Sequence, residues 1–366
     1  MMTERPDDMD SSASVGWTRN RGALYALFAA GLFGVSAPLA KALLRGSSPQ
    51  LLAGLLYLGS GIGLSIIAAV RRGDRDATEA PLSRRDAPWL AAAILFGGMI
   101  GPVLLMIGLT RTPAASASLL LNLEGVFTAL LAWIVFRENV DRRIALGMFA
   151  IIVGGVALSW EGRAEFGGLA GPLAVAAACL CWGVDNNFTQ KVSGGDPVKI
   201  AMLKGLVAGS VNTALAMTLG ARAPELPTLG AALLLGFLSY GVSLVLFVLA
   251  LRHLGTARTG AYFSIAPFFG AAVAVVGFHE RPTLFFAVAA GCMAVGVWLH
   301  LTEQHEHIHV HEAMEHTHAH VHDEHHQHEH SPDDPPGEPH SHPHRHDRLV
   351  HSHRHYPDLH HRHSHD

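Results

Sequence analysis

Two polar groups interrupt otherwise apolar stretches of this chain, and both hold side chains suited to binding or relaying a cation. Glu124 stands in PAASASLLLNLEGVFTALLAWIVFRE (Pro113–Glu138), two residues after Asn122. At about eleven residues into a helix that rises about 1.5 Å per residue, its carboxylate lies roughly 17 Å deep, near the middle of a bilayer. An acidic side chain at that depth costs about 2.5–3.5 kcal/mol on insertion scales, so it should face the interior of a helix bundle, paired or protonated. Such a group serves proton coupling or cation binding; the competing role is a structural hydrogen bond to Asn122 or a neighbouring helix. The second group is Asp185, Asn186 and Asn187, about five residues from the end of a later apolar segment. Three consecutive residues cannot share one helical face, so at least one points into the bundle. A hydrated position at the membrane surface is the alternative for this triplet. Lys204 lies one turn into the next segment and is expected to snorkel to the surface.

A third chemistry occupies the C-terminal tail. His305, His307, His309, His311, His316, His318, His320, His322, His325, His326, His328 and His330 stand mostly in His-x-His spacing, before a Pro-rich break at Ser331–Pro339 and further histidine runs. Imidazole is the commonest protein ligand for divalent transition metals, and this spacing lets a chain wrap several nitrogens around one ion. The tail has no cysteine, which favours zinc, nickel, cobalt or copper(II) over copper(I). With almost no core-forming residues it is expected to be disordered without metal. An inert low-complexity tail and a pH-sensitive polyelectrolyte are the competing readings. No cofactor is otherwise required.

The elements that must position these groups are membrane spans. The chain has 366 residues, 49% hydrophobic and 15% charged, with 38 glycines, the low charge and high glycine of helices packed closely in lipid. Apolar segments fall at about 22–44, 50–70, 88–108, 114–136, 144–160, 168–190, 200–220, 228–251, 258–278 and 283–302. Each has about the 17–25 residues that a span needs, and the loops between them are short. The expectation is therefore an all-α integral membrane protein of ten helices. Residues 1–21 read as a disordered leader and 303–366 as the disordered tail. Lys and Arg fall mainly in loops that are cytoplasmic if the N-terminus is, which places both termini on the cytoplasmic side of the inner membrane. The body is mildly basic, while the tail holds 13 acidic and 4 basic side chains. Cys179, Cys181 and Cys292 all lie in apolar segments and read as small packing residues. No phosphate-binding G-x-x-x-x-G-K-[ST] loop and no nucleophile–base pair is found, so neither ATP-driven chemistry nor an enzyme is expected.

The spans repeat. At an offset of 142 residues Glu138 meets Glu280, Gly154 meets Gly296, Asn122 meets Ser264, Gly125 meets Pro267 and Glu124 meets Ala266; Phe33-Gly34 through Lys41 resembles Trp182-Gly183 through Lys191. Five helices per half make the second half inverted relative to the first, the plan that supports alternating access. These openings, the Glu138 and Glu280 that close the fourth and ninth helices, and the Gly-rich helices after them resemble the drug/metabolite transporter superfamily, EamA type, over residues 22–302, as repeats at 22–160 and 168–302. The resemblance implies a secondary transporter of a small solute. Glu124-Gly125 stands where the family usually shows a proline. Lipid and a small-molecule or metal-ion solute are the expected partners, a homodimer stays open, and no nucleic acid is expected. A divalent-metal exporter and a non-transporting membrane metal sensor or buffer are the alternatives. Glu138 and Glu280 are expected to pair with the neighbouring Arg137 and Arg281 at the interface.

If the tail is a metal ligand set, deleting residues 303–366 should remove most zinc or nickel binding by the solubilised chain. Titration calorimetry at about pH 7.5 and about pH 5.5 should also find that the intact chain's binding weakens through the ordinary imidazole value of about 6.5, because only neutral imidazole ligates.

Overall fold

In a computed structural model the described residues are 7–71, 82, 84–136, 142–159, 168–192, 196–247, 249–250, 259 and 262–301, with tail segments 305–311, 314–320, 340–346 and 349–355. From residue 7 to 301 the described regular structure is entirely helical: α1 (Asp7–Gly34), α2 (Ser36–Leu43), α3 (Pro49–Arg71), α4 (Ala87–Ala93), α5 (Gly101–Arg111), α6 (Ala114–Leu120), α7 (Leu123–Phe136), α8 (Arg142–Ser159), α9 (Ala170–Val192), α10 (Pro197–Thr218), α11 (Leu226–Gly236), α12 (Ala266–Ala272) and α13 (Leu284–Leu301), plus short 3-10 and π stretches. Among the described residues seven helical stretches are long and apolar enough to cross a membrane, including Arg21–Gly46, Ala87–Arg111 and Ala114–Val135. Helix α9 and the shorter apolar helices Ala266–Gly277 and Leu284–Leu299 occupy the places of three further expected spans.

Helix α1 begins at Asp7, inside the stretch 1–21 expected to be a leader. No proline falls between Asp7 and Gly34, so nothing in the backbone stops a helix from extending outward from the apolar span. In the tail, β1 (His305–His311) pairs antiparallel with β4 (Leu349–His355), and β2 (Met314–His320) with β3 (His340–His346). A His-x-His alternation has the period of two that a strand requires. His322, His325, His326, His328 and His330 lie outside the described residues, as does Glu138.

Several spans are discontinuous at related places. A π-helical stretch, Ile94–Ile100, joins α4 to α5, and another, Phe237–Val242, follows α11 at the repeat offset of 142. The fourth and ninth spans each break at a turn, Leu121–Asn122 and Ser264–Ile265. The first span breaks at Val35 between α1 and α2, three residues before Pro38, whose missing N–H frees a carbonyl in the preceding turn.

The bundle is assembled from contacts across the halves: α3 on its repeat mate α10, α8 on its mate α13, α9 on α5 and α7, and α6 on α12. At the centre of the first pair a Cβ on Gly205 would lie 2.5 Å from the backbone nitrogen of Gly61, and one on Gly61 2.5 Å from that of Leu206. Bare glycines let these backbones touch, which is how helices associate where lipid gives no hydrophobic drive between them. The faces turned away carry exposed Phe28, Ile66, Phe149, Val156 and Trp298, apolar surface suited to acyl chains.

Gly205→Leu should therefore force α3 and α10 apart and destabilise the chain by roughly 1–3 kcal/mol, the usual cost of overpacking. Gly230→Ala, where a new Cβ meets nothing within 4 Å, should not. Thermal unfolding of the two variants in detergent measures the difference.

Candidate functional site

The polar groups of the first half meet those of the second where α7 packs on α9. The approach is set by Gly183: a Cβ there would lie 3.0 Å from Phe127 Cβ and 3.0 Å from the Thr128 nitrogen. One turn further along α9, Asn186 Nδ2 donates to Glu124 Oε1 at 2.9 Å and to Thr128 Oγ1 at 3.2 Å. Asn187 Nδ2 donates to the carbonyls of Gly183 at 2.8 Å and Thr128 at 3.2 Å. Glu124 and Asn186 are thus brought together across the two halves. Asn186 is exposed and Glu124 half-buried, so the pair is not sealed inside packed protein.

The break in the fourth span explains how Glu124 comes to be there. Three-residue bonds replace the helical ladder, from Leu121 N to Ser118 O and from Asn122 N to Leu119 O. The chain restarts as α7 with Glu124 in its first turn, where the dipole favours a carboxylate. Carbonyls released at the break receive a donor from Cys179, whose Sγ lies 3.6 Å from Leu120 O; this cysteine bonds as well as packs. Asn122 does not join Glu124. Its Nδ2 donates to Leu119 O at 3.0 Å and lies 3.9 Å from Met293 Sδ, so it fastens the break.

Asp185 belongs to a separate cluster one residue away. Lys204 Nζ on α10 lies 2.6 and 2.7 Å from its two oxygens and 3.3 Å from Thr189 Oγ1, which itself donates to Asp185 at 2.8 Å. The side chains keep only 13% (Lys204) and 8% (Asp185) of their exposure. Lys204 therefore does not snorkel, and Asp185 is not a hydrated surface group. A charged lysine one turn into a span is held more cheaply by a buried carboxylate than by bare hydrocarbon.

Gly97 and the π-helical stretch bind this cluster to the first half. The Gly101 N–H bonds five residues back to Phe96 O; in the same register the Gly97 carbonyl would need the N–H of Pro102, which has none. It receives the Tyr57 hydroxyl at 2.7 Å and Trp182 Nε1 at 3.0 Å instead. A Cβ on Gly97 would fall 1.8 Å from Asp185 Oδ2, so only glycine admits the carboxylate. Asn212 Nδ2 donates to Met99 O at 3.1 Å. The roles of Tyr57, Gly97, Thr128 and Thr189 escape sequence reading, although Gly97-Gly98 followed by Gly101-Pro102 inside a span is the signal of freed carbonyls. Among the residues with described side chains, no group of three or more His, Cys, Asp or Glu is placed to hold a metal ion.

At the far end of the bundle Glu280 makes no interfacial pair with Arg281 of the expected kind. Its two oxygens accept the backbone N–H groups of Ala114 at 2.9 Å and Ala115 at 2.8 Å, and Lys41 Nζ lies 3.8 Å from it.

Apolar helices long enough to span a bilayer, broken in midspan and carrying a carboxylate and an amide that meet at the break, define a multi-pass membrane protein of the transporter class. The EamA-like transporter family matches the chain twice, at residues 20–160 and 169–302, and the chain belongs to that family. It is 31% identical over 287 residues to an uncharacterized transporter of Methanothermobacter thermautotrophicus (strain Delta H), covering 73% of this chain and 82% of the relative. A crystal structure described only as that of a protein superposes with a TM-score of 0.57 at 18% identity, over 76% of this chain and 94% of the other, a likeness of fold.

Removing one member of the Asp185–Lys204 pair leaves a buried unpaired group, so Asp185→Asn should destabilise the chain by about 3–5 kcal/mol. The double variant Asp185→Asn with Lys204→Met should recover most of that loss, and Gly97→Ala should act in the same direction as Asp185→Asn. Unfolding midpoints in detergent for the four forms test this.

Proposed function

We propose that the chain is a secondary active transporter of a small solute across the cytoplasmic membrane. It works by alternating access between two inverted five-helix repeats, with ten spans, both termini cytoplasmic and export as its direction. We assign it no catalytic activity. The observation that carries the reading is the Asn186–Glu124 hydrogen bond, made between halves at a break in the fourth span. While Glu124 is ionised, that bond is charge-assisted, and such bonds are roughly twice as strong as neutral ones. A proton arriving at Glu124 removes the charge and weakens the tie between α7 and α9, so that proton occupancy biases the packing of the halves. That differential interaction is what coupling a gradient to a conformational change requires.

A second reading takes a divalent metal as the solute, with the histidine tail supplying zinc, nickel or cobalt at the cytoplasmic mouth. Tethered ligands raise the local concentration of an ion without altering the transport site itself. The duplication of the bundle favours this reading over one in which the bundle merely anchors a metal sensor, since one helix would suffice as an anchor.

Glu124→Gln should insert normally and keep a hydrogen bond to Asn186 while losing the response to a pH gradient. In proteoliposomes given labelled amino acids and zinc, nickel and cobalt ions in turn, gradient-driven flux should fall to the level of empty vesicles or become independent of the gradient. Wild-type flux with unchanged pH dependence would reject Glu124 as the coupling group.

A further inference from the structure

The contacts of Glu280 join three separate pieces of the chain, and their geometry singles them out. The sixth helix begins after Pro113 with no side-chain cap from its own N-terminal residue, which leaves its first N–H groups without a local partner. Glu280, from the turn after the ninth span in the other repeat, places one oxygen on Ala114 N and the other on Ala115 N. Lys41, from the end of α2, donates to the Thr112 carbonyl and stands beside the same carboxylate.

The turn that delivers Glu280 is held in an unusual form. His279 has φ +55°, a conformation that costs a non-glycine residue roughly 1–2 kcal/mol, and the Glu280 N–H reaches back to Ala274 O at 3.2 Å. A cavity of about 530 Å³ lies at this end, its lining including Lys41, Arg111, Thr112, Glu280 and Arg281. Ser116, one residue past the capped amides, also lines it and keeps only 3% of its exposure.

We propose that Glu280, assisted by Lys41, is a latch on the mouth at this end of the carrier, the outer one in the orientation proposed above: it caps a first-half helix from the second half, and its release lets the halves part there. The inference rests on the alternating-access reading and names what holds one face closed. A carboxylate accepting two amides at a helix start gains charge-assisted bonds and a favourable dipole. When the mouth opens, water reaches the two amides and the carboxylate, so the contact can be exchanged for hydration without stranding buried donors. Among the described polar contacts at this end, it is the one that ties the second repeat to the first by two hydrogen bonds.

The test is labelling of Ser116→Cys by a membrane-impermeant maleimide applied to each face of sealed vesicles in turn. Adding Glu280→Gln should raise the labelling rate about tenfold from one face, because the amide can accept only one of the two bonds and carries no charge. Lys41→Met should give a smaller rise from the same face. An unchanged rate in Glu280→Gln overturns the latch. So does a rise accompanied by equal labelling of the buried native Cys179, which marks general loosening. Where Glu280→Gln fails to insert, Glu280→Asp, which keeps the charge but is too short to hold both amides, is read by the same criteria. The outcome is independent of the transport reading: solute flux with unchanged labelling removes the latch alone, and raised labelling with no flux in any form removes the carrier and keeps the conformational latch.

Discussion

Hydrocarbon offers no partner to a backbone carbonyl, so every interruption of a spanning helix must be answered by a donor from elsewhere in the protein. The arrangement of this bundle follows from that constraint. The π-helical stretch before Pro102 frees Gly97 O, and Tyr57 and Trp182 answer it. Asn212 answers Met99 O, and Cys179 answers Leu120 O. At the related stretch in the second half, Ser239 and Ser243 donate instead to Leu32 O at 2.6 Å and Ala29 O at 2.9 Å on α1. The donors come largely from the opposite repeat. The breaks that give the bundle its polar interior are thus also what fasten its halves together.

These ties differ in what it takes to undo them. Tyr57 and Trp182 donate to a fully formed backbone dipole inside packed protein, and breaking them would strand buried polar groups at about 1–3 kcal/mol each. The Asp185–Lys204 pair is more costly still to separate. The Glu124–Asn186 bond and the Glu280 cap are different, because each involves a carboxylate that retains exposure. Protonation weakens the first, and water can replace the partners of the second. Contacts that are costly to break and contacts that are cheaper to break are thus separated by burial.

The apolar segments, their two-fold repetition and the isolation of Glu124 are legible in the amino-acid sequence, because they follow from residue type and spacing alone, and the family matches fall on both halves of the body. Partners are harder to read. Lys204 resembles a surface anchor because sequence gives its depth along a helix but not the residue facing it across a neighbour; Asp185 is nineteen positions away and on another helix. Glu280 resembles half of a local ion pair because Arg281 adjoins it, whereas the left-handed turn at His279 sends the carboxylate across the bundle. No rule of spacing predicts a positive φ at histidine.

The two halves, each matched by the same family, allow one more comparison, because each supplies a control for the other. Gly34 in the first half and Gly183 in the second occupy matching places, and each lies where its helix crosses the broken span of the opposite repeat. At Gly34 a Cβ would sit 2.2 Å from Ala266 O; at Gly183 the nearest atoms are 3.0 Å away. The tighter crossing has an alanine where the looser one has Glu124. A scaffold that closes on alanine in one half has no structural need of a carboxylate at the matching place in the other. Insertion of Glu124 costs free energy that its counterpart avoids, and the hydrogen bond to Asn186 returns only part of it. That excess, at a position joining the two halves, supports the proposed coupling role of Glu124.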